Sequence, residues 1–406
     1  MACKDELWAA KATNAFLWLG MSTIVVYLPV YYDAYFDKLQ IGVLSAIPCF
    51  CSLIAPPIWG AVADLLQRQR LVHVFCIVSS AAVMFMIQFA SSDFVLTCIL
   101  VLLANFQTSP TGPLLDQAIM VLVERVGGEY GKQRLFGAVG WGIGAFVTGL
   151  IVNAYGIAWS FRLQLAFVIP TLVVLSYIPA PDSRRSSLAA APSVSFAEGM
   201  RQVTKKTDVL LLLLVVLLMG LMFGIVSSFL TLNLYELSGN SSWIVGIAIW
   251  LETLSELPAF FFADAVIKRL GIVKTIGISI LGYAARITCY AFMTTAWMAL
   301  PFELLHGVTF ALSWAAFTKY IYDAAPPGTE GTMMGILSSV LNGLGRGTGT
   351  LVGGYLYNNF GAQVMWLTAD MGVPFALLGL YLFARASPGA FSRHEVVRLN
   401  PVKDGV

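Results

Sequence analysis

The chain has 406 residues, of which 58% are hydrophobic and only 11% are charged, and its formal net charge is +2. Soluble domains carry roughly 25% charged residues, so a soluble chain of this composition could not cover its surface with polar groups. The small net charge also excludes the strongly basic surface that binds nucleic acid. The composition therefore predicts an integral membrane protein.

A membrane-spanning helix needs about 20 apolar residues, each rising about 1.5 Å along the axis. Twelve stretches of the chain meet this requirement. In chain order they are 9–32, 41–63, 71–90, 94–122, 134–155, 160–179, 208–235, 243–267, 272–291, 297–322, 331–357 and 364–385. We number them spans 1 to 12, and they predict an all-α membrane protein with twelve transmembrane helices.

The longest hydrophilic stretch of the chain divides these spans six to six. We therefore expect two six-helix halves that are joined by a loop and followed by a short tail. The predicted units are an N-terminal six-helix bundle at 1–180, a cytoplasmic linker at 181–207, a C-terminal six-helix bundle at 208–385 and a cytoplasmic tail at 386–406.

The orientation follows from the distribution of lysine and arginine, which accumulate on the cytoplasmic side of membrane proteins. With the N-terminus inside, 20 of the 24 lysine and arginine residues fall in internal segments. Two, Lys38 and Arg162, fall in external loops, and two, Arg286 and Arg346, fall within spans. Both termini are therefore predicted to be cytoplasmic.

An internal repeat supports the division into halves. Residues 140–156 in span 5 and 345–361 in span 11 are identical at seven of 17 positions, five of which are glycines. Glycines four residues apart allow helices to approach closely in a membrane. A duplication of parallel halves predicts a substrate site between them, near the middle of the bilayer.

Three motifs resemble the major facilitator superfamily. Gly60-Ala-Val-Ala-Asp64 looks like a degenerate form of its signature after span 2, and 130–141 resembles the start of span 5 in the lactose permease branch. That branch includes nucleoside–proton symporters and the phenylpropionate permease. The run 306–311 is closer to receptor-like animal members of the branch. The resemblance implies the two-halved facilitator fold and transport by alternating access.

The resemblance also implies a substrate site. Asp116 and Arg134 fall at the carboxylate and the arginine that hold the sugar in lactose permease, and Trp141 falls at the aromatic on which a ring stacks. Asn342 stands where the family has a lysine, and Arg346 lies one turn further on. An arginine there favours an anionic or strongly hydrogen-bonding substrate. The alternative for Asp116 and Arg134 is an interhelical ion pair that touches no substrate.

Arg286 and His306 fall at the arginine and histidine of the family's proton-coupling cluster. The glutamate expected three residues after the histidine is Thr309, and Glu303 stands three residues before it. Glu303 and His306 share a helix face, so Glu303 is a candidate proton carrier. The alternative is that His306 is a neutral packing residue.

Glu252 and Glu256 lie four residues apart on one face of span 8. Two ionised carboxylates this close repel each other, so one of them is also a candidate proton carrier. The alternative is that each forms an ion pair with a different arginine, such as Arg286 or Arg346.

A third group of charges lies at the predicted cytoplasmic ends of spans 2 and 8. This group comprises Asp64, Arg68, Arg70, Asp264 and Arg269. We expect it to hold the two halves together in the outward-open state, since such contacts exist in one state only. The alternative is that these charges only fix the orientation in the membrane.

The sequence therefore predicts a secondary transporter of a small polar solute, such as a sugar, nucleoside or organic anion, coupled to protons. The alternatives are an uncoupled uniporter, favoured by the missing glutamate at Thr309, and a receptor-like protein that kept the fold and lost transport. We expect no enzymatic activity, no cofactor, no metal and no nucleic acid partner. The expected partners are the solute, protons and the lipid bilayer, for a monomer in the plasma membrane.

Overall fold

The computed structural model describes residues 5–90, 92–126, 130–178, 206–325 and 329–387, and the regular elements within these ranges are all helical. The first nine spans are Leu7–Asp33, Lys38–Ala63, Gln69–Phe89, Phe94–Val123, Lys132–Tyr155, Ala158–Leu175, Thr207–Leu237, Ser242–Leu270 and Ile272–Phe292. Their bounds confirm the predicted spans to within a few residues.

The remaining three spans depart from simple helices. Span 10 consists of two helical segments, Ala296–Glu303 and Gly307–Ala324, bent by 43° at the break between them. The last apolar stretch, Gly331–Ala386, has 56 residues, which is about twice the length needed to cross a bilayer. It turns at Gly361, whose φ of +83° is not helical, so it forms spans 11 and 12. The described ranges thus contain twelve crossings.

The repeat identified in the sequence packs symmetrically. Gly140 of span 5 is so close to span 1 that a Cβ would clash with the Ala15 carbonyl oxygen. Its counterpart in span 11, Gly345, would place a Cβ 2.8 Å from the Cα of Gly220 in span 7. Spans 1 and 7 open the two halves, so equivalent helices contact equivalent neighbours. This packing is what a duplicated six-helix unit requires.

The two halves meet along span 5 against span 8 and along span 2 against span 11. Near the predicted extracellular end, a Cβ on Gly42 would lie 3.0 Å from the Cα of Gly354. Gly60 lies 18 residues further along span 2, towards its predicted cytoplasmic end. A Cβ on Gly60 would have no described atom within 4 Å. The interface is therefore closed near the predicted extracellular end, and it leaves open space at Gly60.

The predicted linker and tail fall mainly on residues 179–205 and 388–406, which lie outside the described residues. The boundaries of the two halves therefore stay a prediction. The described ranges do place six spans before this linker and six after it.

Candidate functional site

A buried cluster of charged side chains lies between spans 8, 9 and 10, with Arg286 at its centre. The Arg286 side chain is 1% exposed, and its Nε donates to the Tyr290 hydroxyl at 2.8 Å. Its Nη2 donates to Glu252 Oε1 at 2.9 Å and to Glu303 Oε2 at 2.6 Å. Tyr290 in turn donates its hydroxyl proton to Glu303 Oε1 at 2.6 Å. Three helices are thus joined through one guanidinium, as sequence spacing alone could not reveal.

His306 and Thr309 complete this buried charge cluster. Arg286 Nη1 lies 3.1 Å from His306 Nδ1 and 2.9 Å from Thr309 Oγ1. A guanidinium can only donate, so His306 Nδ1 must accept, and the ring carries its proton on Nε2. The geometry therefore favours a neutral His306. Thr309, at the position of the missing glutamate, contributes a hydroxyl acceptor in its place.

The charges of this cluster do not balance when both carboxyl groups are ionised. Glu252 and Glu303 would then contribute two negative charges against the single positive charge of Arg286. One added proton makes the cluster neutral, and burial of an unbalanced charge is costly. The cluster can therefore hold one proton, and Glu252, 15% exposed against 0% for Glu303, is the member that solvent reaches.

Glu303, the candidate proton carrier of span 10, lies beside a fixed cation. Arg286 contacts it directly, and Tyr290 contacts its other oxygen. The sequence placed Arg286 near His306 but gave no distance to Glu303, because the two residues lie on different helices. Among the described residues, no group of three or more His, Cys, Asp or Glu side chains is arranged as metal ligands, so we assign no metal site.

The local backbone at the cluster is unusual. Residues Gly307–Leu312 of span 10 form a π-helix, and Ser339–Gly345 of span 11 form another. π-Helical turns are rare and are frequently found at functional sites. The first is seated on span 8, where the Gly307 amide donates to Ser255 Oγ at 2.9 Å. Apolar periodicity did not predict either π-helix, since both segments lie within long, mainly apolar spans in which a π-helical turn leaves no distinct pattern.

The predicted substrate pair of the N-terminal half is in contact. Arg134 Nη1 lies 3.2 Å from Asp116 Oδ2, joining spans 4 and 5, and their side chains are 59% and 27% exposed. Trp141 meets Trp18 of span 1 edge to face, with ring centroids 6.1 Å apart. Sequence reasoning missed Trp18, because span 1 carries no motif around it. The arrangement offers a carboxylate, a guanidinium and two indole rings to a polar ring-shaped solute.

The two glutamates of span 8 have different partners. Glu252 belongs to the buried charge cluster, whereas Glu256 lies within electrostatic range of Arg134 in the other half. Of the two arginines named for pairing, Arg286 does contact Glu252. Spacing along one helix could not indicate that Arg134 of the other half lies close enough to Glu256 to interact with it electrostatically. Span 8 therefore lies between the exposed ion pair and the buried cluster.

Arg346 and Asn342 lie on span 11 beside the second π-helix. Arg346 Nε donates to Ser227 Oγ of span 7 at 3.1 Å, and its guanidinium lies 5.1 Å from the centroid of the Phe223 ring. Asn342 Nδ2 donates to Ser338 Oγ at 3.4 Å within its own span. Arg346 is partly buried and thus remains accessible to a solute.

The predicted cytoplasmic gate is not assembled here. Arg68, Asp264 and Arg269 are exposed, and the side chain of Asp64 lies outside the described residues. Arg70 donates to backbone carbonyls at the end of span 6, including that of Ser176 at 3.0 Å. The gate was predicted for the outward-open state, and this structure is open at the opposite end. The gating role therefore stays a prediction.

A charged contact at the predicted extracellular end joins the halves instead. Lys38 forms ion pairs with Asp33 and with Glu236 of span 7, and Tyr357 of span 11 donates its hydroxyl to Glu236. We call these four residues the extracellular clamp. Nearby, Ser241 Oγ donates to Asn153 Oδ1 at 3.3 Å between the halves. Sequence reasoning used Lys38 only to assign orientation and did not predict this contact.

Twelve spans in two pseudo-symmetric halves, which meet along spans 2, 5, 8 and 11 and carry charged side chains within the membrane region, define a multi-pass membrane transporter of the major facilitator type. The chain belongs to the MFS_1 like family, whose model matches residues 7–368. This match confirms the resemblance that the motifs indicated.

Relatives with recorded names are similar over most of the chain. A maltose permease of Geobacillus stearothermophilus is 26% identical over 353 residues, 87% of this chain and 88% of that protein. An uncharacterized transporter, YwbF, of Bacillus subtilis (strain 168) is 24% identical over 362 residues, 86% of each chain. The major facilitator superfamily domain-containing protein 6-like protein A of Xenopus laevis is 22% identical over 306 residues, 73% of this chain and 49% of that protein.

Solved structures share the fold. The nucleoside transporter NupG aligns with a TM-score of 0.77 and 16% identity, over 95% of this chain and 99% of that one. The human organic anion transporter MFSD10 aligns with a TM-score of 0.62 and 17% identity, over 94% of this chain and 100% of that one. At these identities the comparison confirms the predicted twelve-helix facilitator fold and does not identify a solute.

Proposed function

We propose that the protein is a secondary transporter of a small polar solute (a sugar, a nucleoside or an organic anion) that moves by alternating access and is coupled to protons. The observation that carries the proposal is the buried charge cluster, in which one arginine faces two carboxyl groups and a single proton restores neutrality. Proton-coupled transport requires an ionisable group within the membrane region that can bind and release a proton, and the buried charge cluster provides one. The transporter names of relatives, for maltose and nucleosides, agree with this solute class.

The solute is expected at Asp116 and Arg134, with Trp18 and Trp141 against its ring and Arg346 on the opposite half. Glu256 and Glu252 then connect the solute to the proton site along one face of span 8. A solute that binds Arg134 changes the electrostatic potential at Glu256. Glu252 lies one helical turn from Glu256, so the change also reaches the buried charge cluster.

Transport in proteoliposomes tests the proposal, with radiolabelled maltose, uridine and benzoate as probes. A membrane potential of 100 mV contributes about 2.3 kcal/mol per proton, enough for roughly fiftyfold accumulation. Glu252→Gln and Glu303→Gln should keep equilibrium exchange, in which no net proton crosses, and lose this accumulation.

Asp370→Asn is the matched control, because Asp370 is a span 12 carboxylate that accepts from Thr288 outside the cluster. It should keep both activities. If both glutamine variants concentrate the probe as the wild type does, the carboxylate pair is not the proton site. A wild type that exchanges a probe without any dependence on pH or voltage is a uniporter. Uptake of none of the three probes contradicts the proposed solute class.

A further inference from the structure

Four side chains form a continuous stack that leads from Arg346 to the buried charge cluster. The Arg346 guanidinium covers one face of Phe223 at 5.1 Å, and Phe223 stacks on Phe310 with centroids 5.4 Å apart and planes 21° apart. Phe310 stacks on His306 at 5.4 Å with planes 25° apart. We call Arg346, Phe223, Phe310 and His306 the aromatic stack.

Near-parallel packing distinguishes these rings from the other aromatic contacts. Among the aromatic pairs of the described residues, Phe223–Phe310 and Phe310–His306 are the stacked ones, and the other pairs are tilted or meet edge to face. Face-to-face packing buries a face of each ring against its neighbour, so the favoured position of each ring depends on that of the next. The stack therefore provides a continuous physical contact from Arg346 to His306.

Both ends of the stack lie beside π-helical backbone. His306 directly precedes the π-helix Gly307–Leu312, which contains Phe310, and Arg346 directly follows the π-helix Ser339–Gly345. The hydrogen bonds of a π-helix join residues five apart and those of an α-helix join residues four apart, so a change from one to the other would rotate the side chains beyond it. Gly224 packs directly on the Arg346 backbone. The backbones of spans 7 and 11 are therefore in close contact where they bear Phe223 and Arg346.

We propose that Phe223 and Phe310 are positioning residues that couple solute binding at Arg346 to the proton site at His306. This inference rests on the proposed function. An acceptor group of the solute draws the Arg346 guanidinium away from the Phe223 face. The two rings and His306 then shift together, and His306 Nδ1 releases Arg286 Nη1.

The release matters because Arg286 is the cation that contacts both carboxyl groups of the cluster. His306 is faced by Arg286 from span 9, by Glu252 from span 8 at 3.4 Å, and by Glu303 on its own span. When Arg286 loses one acceptor, its bonds to Glu252 and Glu303 readjust. The number of protons on this pair thereby depends on whether Arg346 holds a solute.

The test compares exchange with accumulation in proteoliposomes for the same three probes, maltose, uridine and benzoate. Phe310→Leu and Phe223→Leu keep apolar volume and remove the ring. We expect exchange within about threefold of the wild type, while accumulation at 100 mV falls from roughly fiftyfold towards unity. Phe310→Tyr keeps the ring and should restore accumulation.

Phe260→Leu is the matched control, because Phe260 touches Phe310 only by its edge, at 6.3 Å and 87°. It should accumulate the probe as the wild type does. Normal accumulation by Phe310→Leu overturns the proposal, as does loss of accumulation in Phe260→Leu, which would indicate general packing. Loss of exchange together with accumulation would assign the stack a structural role. A wild type without proton dependence instead refutes the proposed function itself, and the stack proposal falls with it.

Discussion

The ion pair of the N-terminal half and the charge cluster of the C-terminal half use the same chemistry in opposite environments. Arg134 is 59% exposed and pairs with Asp116, whereas Arg286 is 1% exposed and is surrounded by acceptors. An exposed pair contributes about 0–1 kcal/mol, so it can exchange partners at little cost. Breaking a buried pair costs about 3–5 kcal/mol. Its exposure thus suits the first site to bind a solute, and its burial suits the second site to hold a proton.

Removal of the central cation of the buried cluster should have the largest effect on the protein. Arg286→Leu leaves Glu303 at 0% exposure with an uncompensated charge. We expect the free energy of unfolding to fall by about 3–5 kcal/mol, measured by SDS titration in mixed micelles with circular dichroism. The double variant Arg286→Leu with Glu303→Leu should recover most of this loss, because neither charge then remains. Equal stability of the single variant and the wild type would contradict the role of Arg286.

The exposed pair should show the reverse pattern. Arg134→Ala should weaken binding of the transported probe by about 2–3 kcal/mol, roughly 30- to 150-fold. The free energy of unfolding should change by less than about 1 kcal/mol. Arg134→Lys should also fail, since a lysine cannot form the planar fork. Equilibrium dialysis measures the binding.

Arg162 supplies the control for this prediction, because its guanidinium lies over Trp159 at the predicted extracellular end, 5.1 Å from the ring. Arg162→Lys should bind the probe normally. Normal binding by Arg134→Ala would instead support the alternative from the sequence analysis, in which Asp116 and Arg134 form an interhelical ion pair that touches no substrate.

The smallest expected effect concerns the extracellular clamp, whose charges are intermediate in exposure between the ion pair and the buried cluster. Lys38→Met removes the cation between Asp33 and Glu236, worth about 1 kcal/mol at this exposure. In a background without native cysteines, Phe146→Cys reports opening, because Phe146 lies 6.4 Å from Trp250 between the halves. Maleimide should label this cysteine about fivefold faster when Lys38→Met is also present than when Lys38 is retained.

Lys274→Met, at the opposite end of the protein, is the control and should leave the labelling rate unchanged. An unchanged labelling rate in Lys38→Met would argue against the clamp.

The number of spans was predictable because lipid imposes a length and an apolar composition on each of them. The repeat was predictable as well, because Gly140 and Gly345 must stay small where helices touch. Neither argument depends on which helix faces which.

The site was predictable only as a set of residues. The resemblance to the family's proton-coupling cluster identified Arg286 and His306, and helical spacing within apolar spans added Glu303 and Glu252, before any contact was known. Which carboxylates share Arg286 depends on distances between helices far apart in sequence, and so does the electrostatic effect of Arg134 on Glu256.

The sequence by itself therefore determined the membrane class, the twelve spans and the charged residues within them, since each follows from local composition. Only the tertiary structure decided the closed end, the extracellular clamp, the two π-helices and the stack from Arg346 to His306. The physical reason is that these features arise from the packing of helices against one another. Packing depends on side-chain shape across distant segments, which local hydropathy does not encode.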